Sequence, residues 1–497
     1  MRRPRHTPLA GWLSELFPPA ARGTVPAVKV AGGYGLGFLA ATLVAYLRQS
    51  GLAPARTFWA EDGAIFYAQA WGKSLLGDLV TSYNGYDQLV PRVGGEMARS
   101  VAVPDAPAVM AWGGAALLGL LCCLVYHMAR GHIGSPAARL VLAASMPLLP
   151  IAIVEMLDNF VNVPWWMFFA AFWALLWRPQ TALGRWVAAA LCALAAASEP
   201  LVGLLAPLAL ARAVALRSPR QNTASIGLLA GLAFQGAVVI GALGKRPFHP
   251  KGSTQLVPDF LERVGLGWLS GLRGTDWVAS GGRTLAVVLG ASALLVVLVL
   301  GLTCVERSVR ALTVAVIVLA PLCFFVPVWV RGVGDEMQAG ASVGFSGRYA
   351  ATPILMVIGL ALAIAASAVA RGGVRRRRGS HARSAPWRVG GLRGAQWAHR
   401  FGLSGAVLAC LLALTPAWVV DFRDANARSA GPAWSSALKV ASAECARRPA
   451  RAVVGVPIDP PGMSVVIRCG DLEAGPQGRG AAERAASLSV ARLLASG

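Results

Sequence analysis

Charged residues are scarce in this chain. They make up 14% of its 497 residues, whereas soluble domains usually contain about 25%. Hydrophobic residues reach 56%, and long apolar runs recur from Val28 to Val420. This combination excludes an ordinary soluble domain and predicts a polytopic membrane protein.

Acidic residues are the scarcer charged class, with 23 against 46 basic residues and a net charge of +23. Such a balance can indicate a nucleic-acid partner. Here, however, the basic residues fall mostly between the apolar runs, which is the pattern of positive-inside topology and of contact with anionic lipid. We therefore expect anionic membrane lipids as partners, and no nucleic acid.

Cysteine is also sparse, and none of the eight cysteines forms a C-x-x-C pair. This argues against a zinc or iron–sulfur site. Only Cys445 and Cys469 lie apart from the apolar runs, in a polar C-terminal segment. Outside the cytoplasm these two could form a disulfide that encloses predicted strands at 452–456 and 464–468.

The apolar runs predict the topology. A spanning helix needs about 20 mostly apolar residues, so we predict an all-α polytopic membrane protein with about eleven transmembrane helices. Arginine in the short loops places the N-terminus in the cytoplasm. An odd number of spans then leaves the C-terminus outside. The approximate limits of the spans are 28–47, 107–129, 138–154, 163–177, 184–198, 200–216, 223–243, 284–304, 309–330, 350–370 and 401–420.

This topology divides the chain into three parts. Residues 1–27 form a cytoplasmic segment, residues 28–420 form the transmembrane domain, and residues 421–497 form a small extracytoplasmic α+β tail. The transmembrane domain contains a first outer loop at 48–106 and an arginine-rich cytoplasmic loop at 371–400.

The first outer loop places two adjacent carboxylates, Glu61 and Asp62, in an aromatic segment. One interpretation is that both acids cap an interfacial helix that begins near Glu61 and lies on the membrane surface. The other is that one carboxylate acts as a general base or coordinates a metal. Further along the loop, Tyr86 and Arg92 could line a sugar site, although Arg92 could instead pair with Glu61 or Asp62, or bind a phosphate.

Two later segments are predicted to lie on the same side of the membrane. Glu155, Asn159 and Asn162 follow i, i+4, i+7 spacing, so a helix would place them on one face, as a binding site or a structural polar network. Trp165 follows in the interfacial belt. Arg348 and Tyr349 begin a late span on the outer side, where the guanidinium suits a phosphate or, alternatively, extends towards the lipid headgroups.

Four segments together resemble the GT-C superfamily of integral membrane glycosyltransferases, in a bacterial multi-span branch. They read F-W-A-E-D-G, G-Y-x-x-L-x-P-R, E-x-x-x-N-x-x-N-x-x-W and G-R-Y-x-x-x-P, and they occur in this order. The resemblance implies a GT-C-like helix arrangement, a polyprenyl-phosphate or polyprenyl-diphosphate sugar donor on the outer face, and inversion at the anomeric carbon.

The resemblance also implies roles for individual residues. Glu61 or Asp62 would be the base, and Arg348, alone or with Arg92, would neutralise the leaving phosphate. The sugar or acceptor would be bound by Tyr86, Glu155, Asn159, Asn162, Trp165 and Tyr349. Some members use a divalent metal, but the adjacent Glu61-Asp62 pair differs from their separated Asp-x-Asp acids, so we predict neither a metal nor another cofactor.

The resemblance therefore implies an inverting glycosyltransferase of a bacterial plasma membrane that modifies an envelope glycan, lipid or protein. Three alternatives stay open: a transporter or flippase of lipid-linked saccharides, an O-antigen-polymerase-like enzyme, and a membrane scaffold without catalytic activity. A transporter would place ionisable residues near mid-span, and few such residues occur here.

Overall fold

The structure is a computed structural model that describes residues 8–19, 27–242, 250–333, 347–379, 405–423 and 427–472. Three predicted segments lie partly outside these ranges: the start of the chain, the arginine-rich loop from residue 380 onward, and the tail beyond residue 472.

Helices dominate the described residues. Their bounds are α1 (Pro8–Ser14), α2 (Ala27–Leu47), α3 (Ala68–Gly72), α4 (Leu75–Leu79), α5 (Leu89–Arg99), α6 (Ala106–Met128), α7 (Pro136–Leu148), α8 (Val163–Leu176), α9 (Ala182–Ser198), α10 (Ala206–Leu216), α11 (Thr223–Gly241), α12 (Leu256–Phe260), α13 (Gly267–Ser280), α14 (Arg283–Leu302), α15 (Arg307–Arg331), α16 (Arg348–Gly379), α17 (Gly405–Val420) and α18 (Trp434–Cys445). Two strands follow, β1 (Val453–Ile458) and β2 (Met463–Arg468).

Six helical segments in the described residues are long and apolar enough to cross a membrane, with mean hydropathies between 1.6 and 2.9. The fold is therefore that of a membrane-embedded helical protein. The six are Val103–Gly131, Pro136–Ile153, Thr223–Gly241, Arg283–Leu302, Arg307–Arg331 and Arg348–Ala368. Shorter apolar helices cover the other predicted spans, and their crossing of the membrane stays a prediction: Ala31–Leu47, Val163–Leu176, Ala182–Ser198, Pro200–Leu216 and Gly405–Val420.

A buried arginine joins several helix ends on one side of the bundle. Arg48 directly follows α2, and its guanidinium donates four hydrogen bonds to carbonyls at the ends of α7 and α17. Helix C-termini leave such carbonyls without an intrahelical partner. Burial lowers the pKa of Arg48 to about 10, so the side chain stays charged at neutral pH. The four acceptors belong to Pro147, Leu149, Asp421 and Phe422.

A second buried arginine joins helix ends on the opposite side. Arg212, near the end of α10, donates to the carbonyl of Leu175 at the end of α8 and to that of Gln221 before α11. The apolar helices thus run between two sides of the bundle. We call the side of Arg48 and the Glu61 loop the Glu61 face, and the other side the Arg212 face.

The core lies around α8 and α16. Every residue of α8 is buried, and 89% of the apolar window of α16 is buried. The two helices approach closely, because a Cβ on Gly359 of α16 would lie 2.9 Å from the Trp173 ring of α8. By contrast, only 22% of the window of α14 is buried, so α14 presents apolar side chains to the surroundings, as a lipid-facing helix does.

The C-terminal unit comprises α18, β1 and β2. The strands pair antiparallel, and they overlap the two predicted strands while extending slightly beyond them. The predicted disulfide between Cys445 and Cys469 is present. This bond joins the end of α18 to the residue that follows β2.

The C-terminal unit covers the aromatic segment around Glu61. Phe58 stacks edge-on against Trp434 with ring centroids 4.9 Å apart, and a Cβ on Gly63 would lie 2.8 Å from Ile458. We predicted an interfacial helix here; the segment is helical, with a π-helical turn at Asp62–Tyr67 followed by α3. Its buried aromatic residues, however, pack against the protein and not against lipid.

Candidate functional site

The two adjacent acids of the first loop have separate environments. Asp62 is 1% exposed, and its carboxylate accepts hydrogen bonds from the backbone N–H groups of Phe160 and Val161, both at 2.8 Å. Glu61 is partly exposed. Asp62 therefore holds the 155–162 loop in place, whereas Glu61 remains accessible to a substrate.

Burial raises the pKa of Asp62 to about 7, although the backbone N–H of Phe160 and the charge of Arg428 act in the opposite direction. A carboxyl group with this pKa could in principle exchange a proton near neutral pH. Both of its oxygens are already engaged by the backbone, however. Of the two acids, only Glu61 is partly exposed.

Glu61 accepts a hydrogen bond from the hydroxyl of Tyr83 at 3.1 Å. Burial and the nearby Glu61 raise the pKa of Tyr83, so Tyr83 stays protonated and donates to the carboxylate. Tyr83 was not among the predicted site residues. It lies three residues before Tyr86, in the stretch that the sequence associated with sugar binding.

Glu155 and Arg348 form an ion pair beside Glu61. Nη1 of Arg348 lies 3.2 Å from a carboxylate oxygen of Glu155, and the Arg348 backbone N–H donates to the other oxygen at 3.3 Å. The guanidinium also lies 5.3 Å from the ring centroid of Tyr349, and the charge of Glu61 reaches it. The structure thus brings Glu61, Glu155 and Arg348 together on the Glu61 face.

Arg331 is a second guanidinium in this group, and the sequence reasoning missed it. Its Nη2 donates to the hydroxyl of Tyr86 at 2.5 Å, and its charge interacts with those of Glu199 and Arg348. Burial raises the pKa of Tyr86 to about 12, and the nearby negative charge of Glu199 acts in the same direction. One signal could have found Arg331, because it ends a long apolar run on the same predicted side as Arg348. We call Glu61, Tyr83, Glu155, Arg331 and Arg348 the Glu61 cluster.

Arg92 does not join the Glu61 cluster. Its side chain is fully buried and pairs with Asp78 at 2.9 Å and with Asp87 at 3.0 Å. It also donates to Gln69 at 3.1 Å. The expected pairing of Arg92 with Glu61 or Asp62 is therefore wrong, because two nearer acids pair with its Nη1 and Nε atoms. Its expected role at a sugar or phosphate site stays a prediction.

The 155–162 segment is also different from the prediction. It forms turns and not a helix, so i, i+4, i+7 spacing does not define a common face. Nδ2 of Asn159 and Nδ2 of Asn162 each donate to the backbone carbonyl of Glu155 at 2.8 Å. The two amides shape the loop, which agrees with the structural alternative. Trp165 packs edge-on against Tyr349, with ring centroids 5.4 Å apart, and both side chains are buried.

A second charged group lies behind the loop. Arg428 is 2% exposed and donates to the carbonyls of Asp158, Pro54 and Thr57. Among the described residues, the buried carboxylate of Asp158 has no hydrogen-bond partner. Burial raises its pKa to about 7. Arg428 also interacts with the charges of Asp62 and Asp459, so it links the C-terminal unit to both loops.

No group of three or more His, Cys, Asp or Glu side chains within the described ranges is arranged to hold a metal ion. The Glu61 cluster offers instead one accessible carboxylate, one tyrosine hydroxyl that donates to it, and two guanidinium groups. Such an arrangement can accept a proton from a hydroxyl group and can stabilise negative charge on phosphate oxygens.

No protein-family model, no curated protein and no solved structure matches this chain.

Proposed function

We propose that this protein is a membrane glycosyltransferase that moves a sugar from a polyprenyl-phosphate or polyprenyl-diphosphate donor to an envelope glycan, lipid or protein. One observation carries the proposal. A partly exposed carboxylate, Glu61, lies in the same cluster as the guanidinium groups of Arg331 and Arg348. Glycosyl transfer from a lipid phosphate needs both a base for the acceptor and positive charge for the leaving group.

The proposed reaction is a single displacement. The acceptor hydroxyl oxygen forms a bond to the anomeric carbon, and its proton passes to Glu61. The bond between the anomeric carbon and the phosphate oxygen breaks, and the electron pair leaves with the polyprenyl (di)phosphate. Arg348, with Arg331, stabilises the charge that develops on the leaving oxygen. Attack from the side opposite the leaving group inverts the anomeric centre.

Glu155 and Tyr86 are positioning residues in this proposal. Glu155 holds the Arg348 guanidinium, and Tyr86 holds that of Arg331. Asp62 acts one step further away, because it fixes the loop that carries Glu155. Tyr349 and Trp165 pack beside Arg348, so their contribution is to shape the site around it.

We further propose that all eleven apolar helices cross the plasma membrane of a bacterial cell, with the Glu61 face outside. The alternation of helix ends between the two faces supports an odd number of spans. Arginine in the short connections of the Arg212 face supports a cytoplasmic position for that face. The C-terminal unit would then lie outside, where a disulfide persists.

The experiment compares E61Q with D62N in purified full-length protein, using a panel of synthetic polyprenyl-phosphate hexoses and pentoses as donors. We expect E61Q to lower turnover about 10²- to 10⁴-fold with an unchanged melting temperature. D62N should lower the melting temperature, because one backbone N–H loses its charged acceptor. Full turnover in E61Q would contradict the role of Glu61, and so would a stable but inactive D62N beside an active E61Q.

A second comparison tests the phosphate role. R348Q should weaken donor binding by at least tenfold, whereas R56Q, a change at an exposed arginine of the same face, should leave it unchanged. Equal effects of the two variants would contradict the assignment. Movement of the intact donor across a bilayer, without sugar transfer to any acceptor, would identify a flippase and end the glycosyltransferase proposal.

A further inference from the structure

A belt of aromatic rings crosses the Arg212 face and carries an arginine at each end. Tyr126 packs edge-on against Tyr34, Tyr34 contacts His127, and His127 packs edge-on against Trp177. The guanidinium of Arg139 lies 4.8 Å from the ring centroid of Tyr126, and that of Arg130 lies 5.9 Å from the ring centroid of Trp177.

Within the part of the chain that the structure describes, these two arginines have no hydrogen-bond acceptor and no carboxylate partner. The Nε atoms of Arg130 and Arg139 are buried without a partner. This distinguishes them from other arginines of the same face, since Arg212 donates to carbonyls and Arg178 donates to Gln221. A charged group without a counter-charge costs free energy, and among the described residues no carboxylate neutralises either of these two guanidinium groups.

The two guanidinium groups lie near the same two side chains, Tyr34 and His127. Each charge acts on the other, and both act on Tyr34 and His127. The Tyr34 hydroxyl hydrogen-bonds Nδ1 of His127 at 2.7 Å, and the Tyr34 ring contacts both Tyr126, which packs under Arg139, and His127. Two like charges held in this way repel each other, and an anion between them removes the repulsion. Arginine binds phosphate oxygens with particularly good geometry.

The surroundings of this pair favour a phosphate carried by a lipid. Arg130 ends the apolar segment Val103–Gly131, and Arg139 lies near the start of Pro136–Ile153, which is where headgroups meet a spanning helix. Apolar side chains of the same two helices are exposed: Leu140, next to Arg139, is 61% exposed, and Leu120, further along the apolar segment that ends at Arg130, is 47% exposed. Acyl chains would cover this surface while the phosphate reaches the guanidinium groups.

We infer that Arg130, Arg139 and Tyr34 form a binding site for the phosphate of an anionic phospholipid headgroup, on the face opposite the Glu61 cluster. The site does not depend on glycosyl transfer. Its residues contact none of the Glu61 cluster residues in the described contacts, so either inference can fail without the other.

The test uses purified full-length protein in phosphatidylcholine nanodiscs, titrated with phosphatidylglycerol and followed by native mass spectrometry. R130Q/R139Q should bind phosphatidylglycerol about 30-fold more weakly, because each arginine contributes about 1 kcal/mol and 1.4 kcal/mol is tenfold. R217Q/R220Q removes the same charge from two exposed arginines of the same face. This control should change the affinity less than about threefold.

Three outcomes would overturn the inference: equal losses in the two double variants, no loss in R130Q/R139Q, or equal binding of added phosphatidylcholine. A separate titration with inorganic phosphate tests whether the ligand is a lipid or a soluble anion. If inorganic phosphate binds with the same dependence on Arg130 and Arg139 and displaces phosphatidylglycerol at equal concentration, the ligand is a soluble phosphate and the lipid assignment is wrong.

Two further variants keep the test decisive if R130Q/R139Q does not fold. R130K/R139K retains both charges and should bind more tightly than either glutamine single variant, R130Q or R139Q. Y34F removes one hydroxyl and should weaken binding about fivefold. Lysine variants that bind as weakly as the glutamine single variants, together with an unchanged Y34F, would show that no anion is bound here.

Discussion

Arg428 connects the C-terminal unit to the two loops that carry Glu61 and Glu155, so its removal should separate them. In R428Q the side chain can no longer donate to the carbonyls of Asp158, Pro54 and Thr57, which accept at 2.6, 2.7 and 3.3 Å. The substitution also removes the positive charge that lies near Asp62, Asp158 and Asp459.

The expected magnitude follows from burial. Arg428 is 2% exposed, and breaking a buried charge group by removing one partner costs about 3–5 kcal/mol. Part of this cost is the loss of hydrogen bonds to carbonyls, which does not depend on pH. The other part is the free-energy cost of burying ionised carboxylates without a counter-charge, and this cost depends on pH because the acids titrate.

The sign of the pH dependence follows from the raised pKa values of Asp62 and Asp158, both about 7 in the folded protein. An unfolded Asp has a pKa near 3.9. The folded state therefore binds more protons, and each group contributes stability that declines as pH rises from about 4 to about 7. Without Arg428 both folded pKa values rise further, so the decline continues above pH 7.

The assay is thermal unfolding of the full-length protein in a neutral detergent at pH 5 and pH 8, combined with limited proteolysis of the C-terminal unit. The loss of stability in R428Q should be clearly larger at pH 8 than at pH 5, with faster cleavage at pH 8. R451Q, at an exposed position of the same unit, should match the wild type. An R428Q defect of equal size at both pH values would refute the reasoning.

Two other predictions concern packing and the disulfide. Gly113→Ala should lower the free energy of unfolding by about 1–3 kcal/mol, because its Cβ would lie 2.5 Å from the Phe160 ring. Gly236→Ala, whose Cβ would have no described atom within 4 Å, should be neutral or slightly stabilising. Equal melting temperatures of the two variants would contradict this. C445A/C469A removes a disulfide between residues 24 positions apart and should lower the stability of the C-terminal unit by about 3 kcal/mol. The loss would be measured as faster proteolysis of this unit, and an unchanged rate of cleavage would count against it.

Hydropathy was sufficient to place the apolar helices, because length and composition are local properties of the chain. Each predicted span overlaps an apolar helix, and six of these helices are long enough to cross a membrane. The disulfide was also predictable, since Cys445 and Cys469 are the two cysteines outside the apolar runs.

Partners of individual side chains were much less predictable, because they lie far apart in sequence. Asp62 looked like a possible base, yet its partners are backbone N–H groups 98 and 99 positions away. Arg92 was expected to line a sugar site, to bind a phosphate or to pair with Glu61 or Asp62, but its observed partners are nearer acids in its own loop. The predicted helix around Asn159 is wrong, because hydrogen bonds from its side-chain amide to nearby backbone carbonyls stabilise turns instead.

The contacts of Arg48 have a consequence for biogenesis. Two of its carbonyl acceptors come from residues 373 and 374 positions later in the chain. A nascent polypeptide that has inserted its early helices can supply the acceptors of Pro147 and Leu149, but it still lacks these two, so part of the guanidinium stays without its final partners until the segment around residue 420 is made. Maturation of this face therefore finishes late, and a truncated product would present an incompletely bonded cation to quality-control proteases.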